Sequence, residues 1–174
     1  MKKALLIASV LFIAVISTAC INNIAVQELN NKASEYMAKG DYEAAVNRLQ
    51  ASLDLDSTMF ETYYNLGIAA TKAKKYDIAI SAFENGIKIK PDFSNFYYSL
   101  AIAQAEYVQE LLENEQCSEE DKIKSDELKI SAIANAQKYL ELSPQAEDKE
   151  NVEELITNLT SQEEKEKQPV VLKG

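Results

Sequence analysis

The stretch that decides the fold is FETYYNLGIAATKAKKYDIAISAFENGIKIKPDF, which runs from Phe60 to Phe93. It holds two apolar-periodic runs; Lys74-Lys75 separates them, and Pro91 follows the second. Apolar residues that recur every three to four positions are typical of amphipathic helices, and a proline cannot continue a helix. The stretch therefore predicts two helices joined by a short turn.

The same pattern recurs at a fixed distance of 34 residues before and after this stretch. When the chain is shifted by that distance, Tyr42 falls on Tyr76, Ala45 on Ala79, Leu49 on Phe83, Tyr63 on Tyr97 and Leu66 on Leu100. A column of small residues, Ala33, Gly67 and Ala101, allows the two helices of a unit to approach closely. A period of this length is that of a helix–turn–helix repeat unit.

These units resemble tetratricopeptide repeats. The family pattern is matched at Tyr63, Leu66-Gly67, Ala79, Phe83 and Pro91, and the string GDYEAA from Gly40 is close to the family consensus. The resemblance implies an all-α fold, an α-solenoid of about three helical hairpins that spans residues 26–146. Its units are residues 26–59, 60–93 and 94–146.

The third unit departs from the regular length. Pro91 and Pro144 are 53 residues apart, 19 more than the repeat, and the additional residues lie within an insertion at 106–125. Apolar periodicity continues on both sides of one polar turn, where Ser118 and Asp121 make a capping pair. The sequence therefore predicts an elongated hairpin whose tip projects roughly 10 Å beyond the other repeats.

The end of the array has two further features. Ala136 stands where Phe83 stands in the second unit, and Tyr139 stands where Gly86 does, so large and small residues have exchanged places. Because the volume is roughly kept, we expect the packing to survive. Residues 147–160 have one apolar face and are expected to form a capping helix, followed by a disordered tail at 161–174.

The N-terminus has the pattern of a lipoprotein signal peptide over residues 1–19. Lys2-Lys3 precedes an apolar run of 13 residues from Ala4 to Ile16, shorter than the roughly 17–25 that span a bilayer. Ala19-Cys20 resembles the end of a lipobox, although the two residues before it depart from the usual pattern. The resemblance implies lipidation of Cys20, a lipidated tether at 20–25 and a bacterial cell envelope protein on the periplasmic or surface face of a membrane. An ordinary signal peptide or an uncleaved anchor is the alternative.

Composition limits the chemistry. The chain has 174 residues with 18 Lys+Arg, 28 Asp+Glu and no His. A net charge of −10 argues against nucleic acid as a partner. Without histidine, Ser–His–Asp and Cys–His catalysis are excluded, and no phosphate-binding or calcium-binding loop is found. We therefore expect no catalytic residue, no metal, no cofactor and no enzyme activity; an accessory subunit of an envelope enzyme is the remaining enzyme-related alternative.

The resemblance also implies a concave groove that binds a peptide or helix of a protein partner. The positions carried over to this chain are Asn30, Asn31, Ser34 and Met37 from the first unit, Tyr64, Asn65, Ile68 and Thr71 from the second, and Asn95, Tyr98, Ser99, Ile102 and Ala105 from the third. They are uncharged, and Tyr, Asn and Ser combine apolar area with hydrogen bonding. Tyr64 and Tyr98 are expected to be exposed in this groove.

Other uses of the groove remain open. Chaperone-tail-binding members of the family hold a terminal carboxylate with basic residues, whereas Asn30, Asn95 and Ser99 stand at those places here. The carboxylate clamp is therefore absent. The groove residues could instead pack against a neighbouring helix, or the protein could be a homo-oligomer whose groove takes a neighbour's tail or cap helix.

Overall fold

The computed structural model describes residues 23–113 and 116–166, and these residues are helical without any strand. The helices are α1 (residues 23–38), α2 (Tyr42–Leu55), α3 (Phe60–Lys72), α4 (Tyr76–Ile89), α5 (Ser94–Glu113), α6 (Glu119–Leu142) and α7 (Lys149–Glu166). They form three hairpins, α1/α2, α3/α4 and α5/α6, with α7 packed on α6. The predicted all-α solenoid with an elongated third hairpin and a C-terminal capping helix is confirmed.

The turns inside the first two hairpins have the same backbone geometry. Gly40 has φ of 77° and Lys74, one repeat later, has φ of 57°. Both residues are therefore in the left-handed region, which ends a helix and favours glycine. After the first turn, the Asp41 carboxylate accepts a hydrogen bond from the Ala44 amide at 3.1 Å and caps α2.

Close approach of helices within the second unit, and between the second and third units, depends on glycine. A Cβ atom at Gly67 would overlap the ring of Phe83, and a Cβ atom at Gly86 would overlap the ring of Phe96. Both rings are fully buried in the main core cluster. Gly67, the second-unit member of the predicted column of small residues, is thus matched to an aromatic ring on the facing helix.

The third hairpin is longer than the second in both helices. Helix α5 has 20 residues and α6 has 24, against 13 for α3 and 14 for α4. Ser118 and Asp121 form a reciprocal capping box: the Ser118 hydroxyl accepts from the Asp121 amide at 3.1 Å, and the Asp121 carboxylate accepts from the Ser118 amide at 2.9 Å. Most of the insertion at 106–125 is therefore helical.

The exchanged residues of the third unit are both buried. Ala136 packs with Ala101 in a second core cluster, so an alanine pair replaces the glycine–phenylalanine pair of the second unit. Tyr139 packs on Tyr98, with ring centroids 5.1 Å apart, and its hydroxyl donates to the Asp148 carboxylate at 2.7 Å. The ring thereby reaches the start of the capping helix.

The capping helix begins at Lys149 and ends at Glu166, rather than covering 147–160. The expected disordered tail at 161–174 is corrected for its first six residues, which continue the helix. They are rich in Glu, Gln and Lys, which are good helix formers. The rest of the predicted tail, the predicted signal peptide at 1–19, Cys20 and the first part of the predicted tether lie outside the described residues.

Helix ends gather along one side of the solenoid because consecutive helices are joined by short turns and run antiparallel. Near the start of α3, Phe60 lies 5.5 Å from Phe93 between α4 and α5, as measured between ring centroids. At the end of α6, the Ser143 hydroxyl donates to the Ser94 hydroxyl at the start of α5, at 2.8 Å. We call this side, with the starts of α1, α3, α5 and α7 and the ends of α2, α4 and α6, the N-terminal edge.

The opposite ends of the helices form a second side, which we call the hairpin edge. There Lys75 Nζ lies 3.0 Å from a Glu43 carboxylate oxygen, which joins the first two hairpin turns. Lys74 Nζ lies 3.4 Å from Glu110 of α5. The capped turn of the elongated hairpin belongs to this edge, so its tip points away from the start of α1.

Candidate functional site: the concave groove

A recess on the groove side lies between α3 and α5. It is a cavity of about 170 Å³ lined by Ile68, Thr71, Lys72, Tyr98, Ser99, Ile102 and Glu106. Five of the predicted groove residues are therefore brought together here: Ile68, Thr71, Tyr98, Ser99 and Ile102. The two charged residues in the lining have opposite signs.

The hydroxyl groups at this recess are partly used inside the protein. Thr71 Oγ1 donates to the carbonyl of Gly67 at 2.8 Å, and Ser99 Oγ donates to the Tyr64 hydroxyl at 3.4 Å. What the recess offers to a ligand is mainly the apolar surface of Ile68 and Ile102 and the Tyr98 ring. Such a surface suits an apolar side chain of a peptide.

Tyr64 and Tyr98 are both half-buried, which corrects the expectation of two exposed groove tyrosines. The Tyr98 ring packs on Tyr139, and Tyr64 packs among the aromatic rings of the main core. Its ring centroid lies 5.4 Å from that of Phe93, 5.6 Å from that of Phe96 and 6.1 Å from that of Phe83. The side chain is half-buried and packs against the main core cluster. Its removal would therefore change stability as well as any groove contact.

Asn30 is also engaged inside the fold. Its side-chain amide donates to the Ser52 hydroxyl of α2 at 3.1 Å, and its carbonyl oxygen accepts from the Thr62 hydroxyl of α3 at 3.3 Å. Both partners are buried, so the amide joins three helices. This corrects the assignment of the Asn30 side chain to the binding surface.

The remaining predicted residues fall into two sets. Asn31, Ser34 and Asn95 are exposed, whereas Met37 and Asn65 are half-buried. Ala105 does not line the recess between α3 and α5. It lines a second cavity.

This second cavity lies between α5 and α7 and has a volume of about 440 Å³. Its lining residues are Ala105, Val108, Gln109, Leu112, Glu113, Leu155, Asn158 and Leu159. Sequence reasoning missed all of these except Ala105, because it treated α7 only as a cap. The apolar residues at 108 and 112, inside the insertion, were the sequence signal that could have indicated this cavity.

The part of the elongated hairpin around Tyr107 and Lys124 packs against the second unit. The Tyr107 and Tyr76 rings are stacked at 5.1 Å, and Lys124 Nζ donates to the Tyr107 hydroxyl at 2.6 Å and to Asp77 at 3.2 Å. Burial, followed by the nearby charges of two glutamates, raises the pKa of Tyr76, and the hydrogen bond to Tyr107 raises the pKa of Lys124. Tyr107 and Lys124 both belong to the insertion, so part of it serves as a lateral support.

Residues 23–113 and 116–166 contain neither a metal-binding cluster nor a helix that could span a membrane. No group of three or more His, Cys, Asp or Glu side chains there is placed to hold a metal ion. None of the helices in these ranges combines the length and the apolar character needed to cross a membrane.

Comparison with known proteins identifies the repeats. The family model described as TPR repeat matches residues 33–73, and the model described as tetratricopeptide repeat matches residues 60–93. The chain therefore contains tetratricopeptide repeats, as its residue pattern predicts.

A curated relative shares part of this sequence. The tetratricopeptide repeat and J domain-containing co-chaperone DNJ1 of Cryptococcus neoformans is 26% identical over 104 residues, which are 58% of this chain. The match spans only 20% of the length of that co-chaperone.

Solved structures share the fold at low sequence identity. The first TPR of Spaghetti (RPAP3), bound to the HSP90 peptide SRMEEVD, superposes with a TM-score of 0.62 at 15% identity, covering 80% of this chain and 93% of that one. The Yersinia enterocolitica type III secretion chaperone SycD, in complex with a peptide of the translocator YopD, has a TM-score of 0.61 at 18% identity, covering 79% and 93%. These likenesses show the helical-hairpin solenoid.

Proposed function

We propose that this protein is a scaffold that binds a peptide or helix of a partner protein in its concave groove while a lipid anchor holds it at a membrane. The observation that carries the groove is the recess between α3 and α5, where Ile68, Tyr98 and Ile102 form an apolar surface. Support comes from two solved structures of the same fold, each of which holds a peptide.

The chemistry of the recess favours a neutral, apolar segment. Only four of the 18 basic residues and none of the 28 acidic residues lie in 1–22 and 167–174, so residues 23–166 carry 14 positive against 28 negative charges. An acidic peptide would meet this negative field, and the basic clamp for a terminal carboxylate is missing. We therefore propose an apolar side chain as the main contact.

The anchor is the second part of the proposal. Its basis is the short apolar run from Ala4 to Ile16 followed by Ala19-Cys20. Acyl chains on Cys20 would contribute roughly 0.8 kcal/mol per buried CH₂ group. The corresponding location is the bacterial cell envelope, with the folded domain on the periplasmic or surface face.

A substitution inside the recess tests the groove. Ile102→Glu places a charge on the apolar surface, and Ile130→Glu on α6, whose side chain is 61% exposed, is the matched control. In quantitative pull-downs from native membranes, a groove partner is lost with the first variant and kept with the second. Equal recovery with both variants overturns the groove assignment, and circular dichroism verifies that both variants are folded.

Cys20→Ser tests the anchor. The variant should leave the membrane fraction or remain uncleaved. Intact-mass analysis of the native protein purified from membranes should show a lipid adduct on Cys20. An unmodified thiol at this position in the membrane form contradicts the anchor.

A homo-oligomer is the second candidate function. It is favoured by Ile123 and Ile130, two turns apart on α6 and 62% and 61% exposed, which place apolar surface on the outside of the elongated hairpin. Light scattering on the native protein and on the Ile123→Asn/Ile130→Asn variant tests it. A mass that falls from that of a dimer to that of a monomer supports self-association.

A further inference from the structure

The distance along the chain between Cys20 and the folded domain is very short. Helix α1 is already formed at residue 23, so only two residues separate it from Cys20. Three Cα–Cα steps of about 3.8 Å allow a separation of at most about 11 Å. A lipid on Cys20 would therefore hold the start of α1 next to the membrane surface.

The start of α1 belongs to the N-terminal edge, and this edge has exposed apolar side chains. Ile24 is 66% exposed near the start of α1, and Leu55 and Ile89, one repeat apart at the ends of α2 and α4, are each 42% exposed. Transfer of a large exposed apolar side chain from water to the boundary between lipid headgroups and acyl chains lowers the free energy. Such a distribution fits an edge that touches lipid.

The charges on the same edge indicate which lipid surface it fits. Asp54, Asp56 and Asp92 lie beside the two helix ends, and the basic residues there are Lys88, in the last turn of α4, and Lys90. Lys90 lies over the Phe60 ring, with its Nζ 5.1 Å from the ring centroid. The acidic groups would be repelled by anionic lipids. The contact is therefore apolar in origin and suits a zwitterionic surface.

We infer that the N-terminal edge rests on the lipid surface and that the elongated hairpin points away from the membrane. This orientation depends on the proposed anchor at Cys20. Helix α6 extends from the hairpin edge to the N-terminal edge over 24 residues, or about 36 Å at 1.5 Å per residue. The hairpin tip, and the cavity between α5 and α7 near it, would then face partners that approach from the aqueous side.

Energy transfer from single labelled cysteines to the membrane tests the orientation. The full chain, purified from membranes, is reconstituted in phosphatidylcholine vesicles that contain a headgroup-labelled acceptor. A donor on the native Cys117 marks the hairpin tip, and a donor on Ser57→Cys, made together with Cys117→Ser, marks the N-terminal edge. Lys39→Cys with Cys117→Ser marks the hairpin edge of the first unit.

The expected order is strong transfer from position 57 and weak transfer from positions 39 and 117. Equal transfer from all three positions, or stronger transfer from 117, in a protein that floats with the vesicles overturns the orientation alone. A protein with an unmodified Cys20 that does not float overturns the anchor, and the orientation with it.

A second pair of variants tests the lipid contact itself. Leu55→Asn/Ile89→Asn should lower transfer from position 57, whereas Ile123→Asn/Ile130→Asn, on α6, should leave it unchanged. Replacing part of the phosphatidylcholine with anionic lipid should not raise the transfer. Equal effects of the two variants, or a clear increase on anionic vesicles, would show that the apolar edge is not the contact.

Discussion

The second and third hairpins place their large aromatic residue at different positions of the repeat. In the second, Gly67 accepts the Phe83 ring; in the third, Ala101 faces Ala136, and the aromatic side chain has moved three residues along to Tyr139. Both arrangements are buried. The comparison shows that the solenoid depends on complementary pairs between facing helices, and that a motif residue can be lost when its partner changes with it.

The largest effect should come from converting the second hairpin to the pairing of the third. Phe83→Ala should lower the free energy of unfolding by about 4 kcal/mol because it empties a fully buried site. Gly67→Ala alone should cost about 2 kcal/mol through overlap with the Phe83 ring. The double variant recreates the alanine pair, so it should be less unstable than the sum of the two changes.

Urea unfolding of the four proteins in this double-mutant cycle measures the coupling. A coupling well above about 0.5 kcal/mol in the stabilising direction supports complementary pairing. Strict additivity would mean that the glycine and the ring act independently, and the comparison between the hairpins would lose its physical basis.

The next effect concerns the tyrosine that is specific to the third hairpin. Burial, followed by the hydrogen bond to Asp148, raises the pKa of Tyr139 to about 12. Tyr139→Phe should cost about 1.5–3 kcal/mol at neutral pH, because it removes a hydrogen bond to a charged group. Tyr98→Phe, on the facing ring, is the control, since it keeps the contact between the two rings and leaves the hydrogen bond to Asp148 intact.

The same pKa gives a pH dependence with a definite sign. The folded chain holds the Tyr139 proton more tightly than the unfolded chain, in which tyrosine titrates near pH 10. The stabilisation is complete below about pH 10 and is lost as the pH rises towards about 12. The difference in unfolding free energy between the native protein and Tyr139→Phe should shrink over this range, and a constant difference would contradict the assignment.

The repeat architecture was predictable because its signals are local and periodic. The column of Ala33, Gly67 and Ala101 appears at a fixed spacing, and the capping pair Ser118 and Asp121 uses residue types that act within one helical turn. The sequence therefore predicts which segments form helices. It does not predict where α7 ends, because Glu, Gln and Lys are compatible both with a helix and with a disordered tail.

The groove was less predictable because a polar side chain on a helix does not reveal its partner. Asparagine is a residue type common at protein surfaces, yet the Asn30 side chain joins three helices. Gln104 is likewise polar, yet it is buried and donates to the Ser131 hydroxyl at 2.8 Å. Tyr64 follows Tyr63 directly, and residues about 100° apart on a helix can both be half-buried. Such contacts depend on the spacing of helices, which the sequence pattern does not contain.

A smaller effect concerns the elongation that separates the third hairpin from the second. Ser118→Ala removes the N-cap of α6 and should cost about 1 kcal/mol, confined to the first turns of the helix. Hydrogen exchange should be slow over 108–112 and 124–130 in the native protein and fast only around 117–121. In the variant, the fast region should grow towards residue 124, while α3 and α4 keep their protection.

The control for this experiment is Ser57→Ala, in the turn before α3, a helix whose N-terminus has no side-chain cap. Its exchange pattern should match that of the native protein. Uniformly fast exchange from 107 to 125 in the native protein would contradict a helical extension and would remove the structural distinction between the two hairpins.

The smallest effect comes from the turn that the first and second hairpins share. Gly40 and Lys74 both have positive φ, but only the lysine carries a Cβ atom that disfavours this conformation. Lys74→Gly should therefore stabilise the protein by about 0.5–1 kcal/mol, since relief of backbone strain outweighs the added freedom of glycine in the unfolded chain. The ion pair with Glu110 is exposed on both sides, so its loss should cost little. Lys74→Ala removes the same ion pair but keeps the Cβ atom, and in thermal unfolding it should show no gain. If both variants shift the Tm equally, the charge rather than the left-handed backbone distinguishes the two turns.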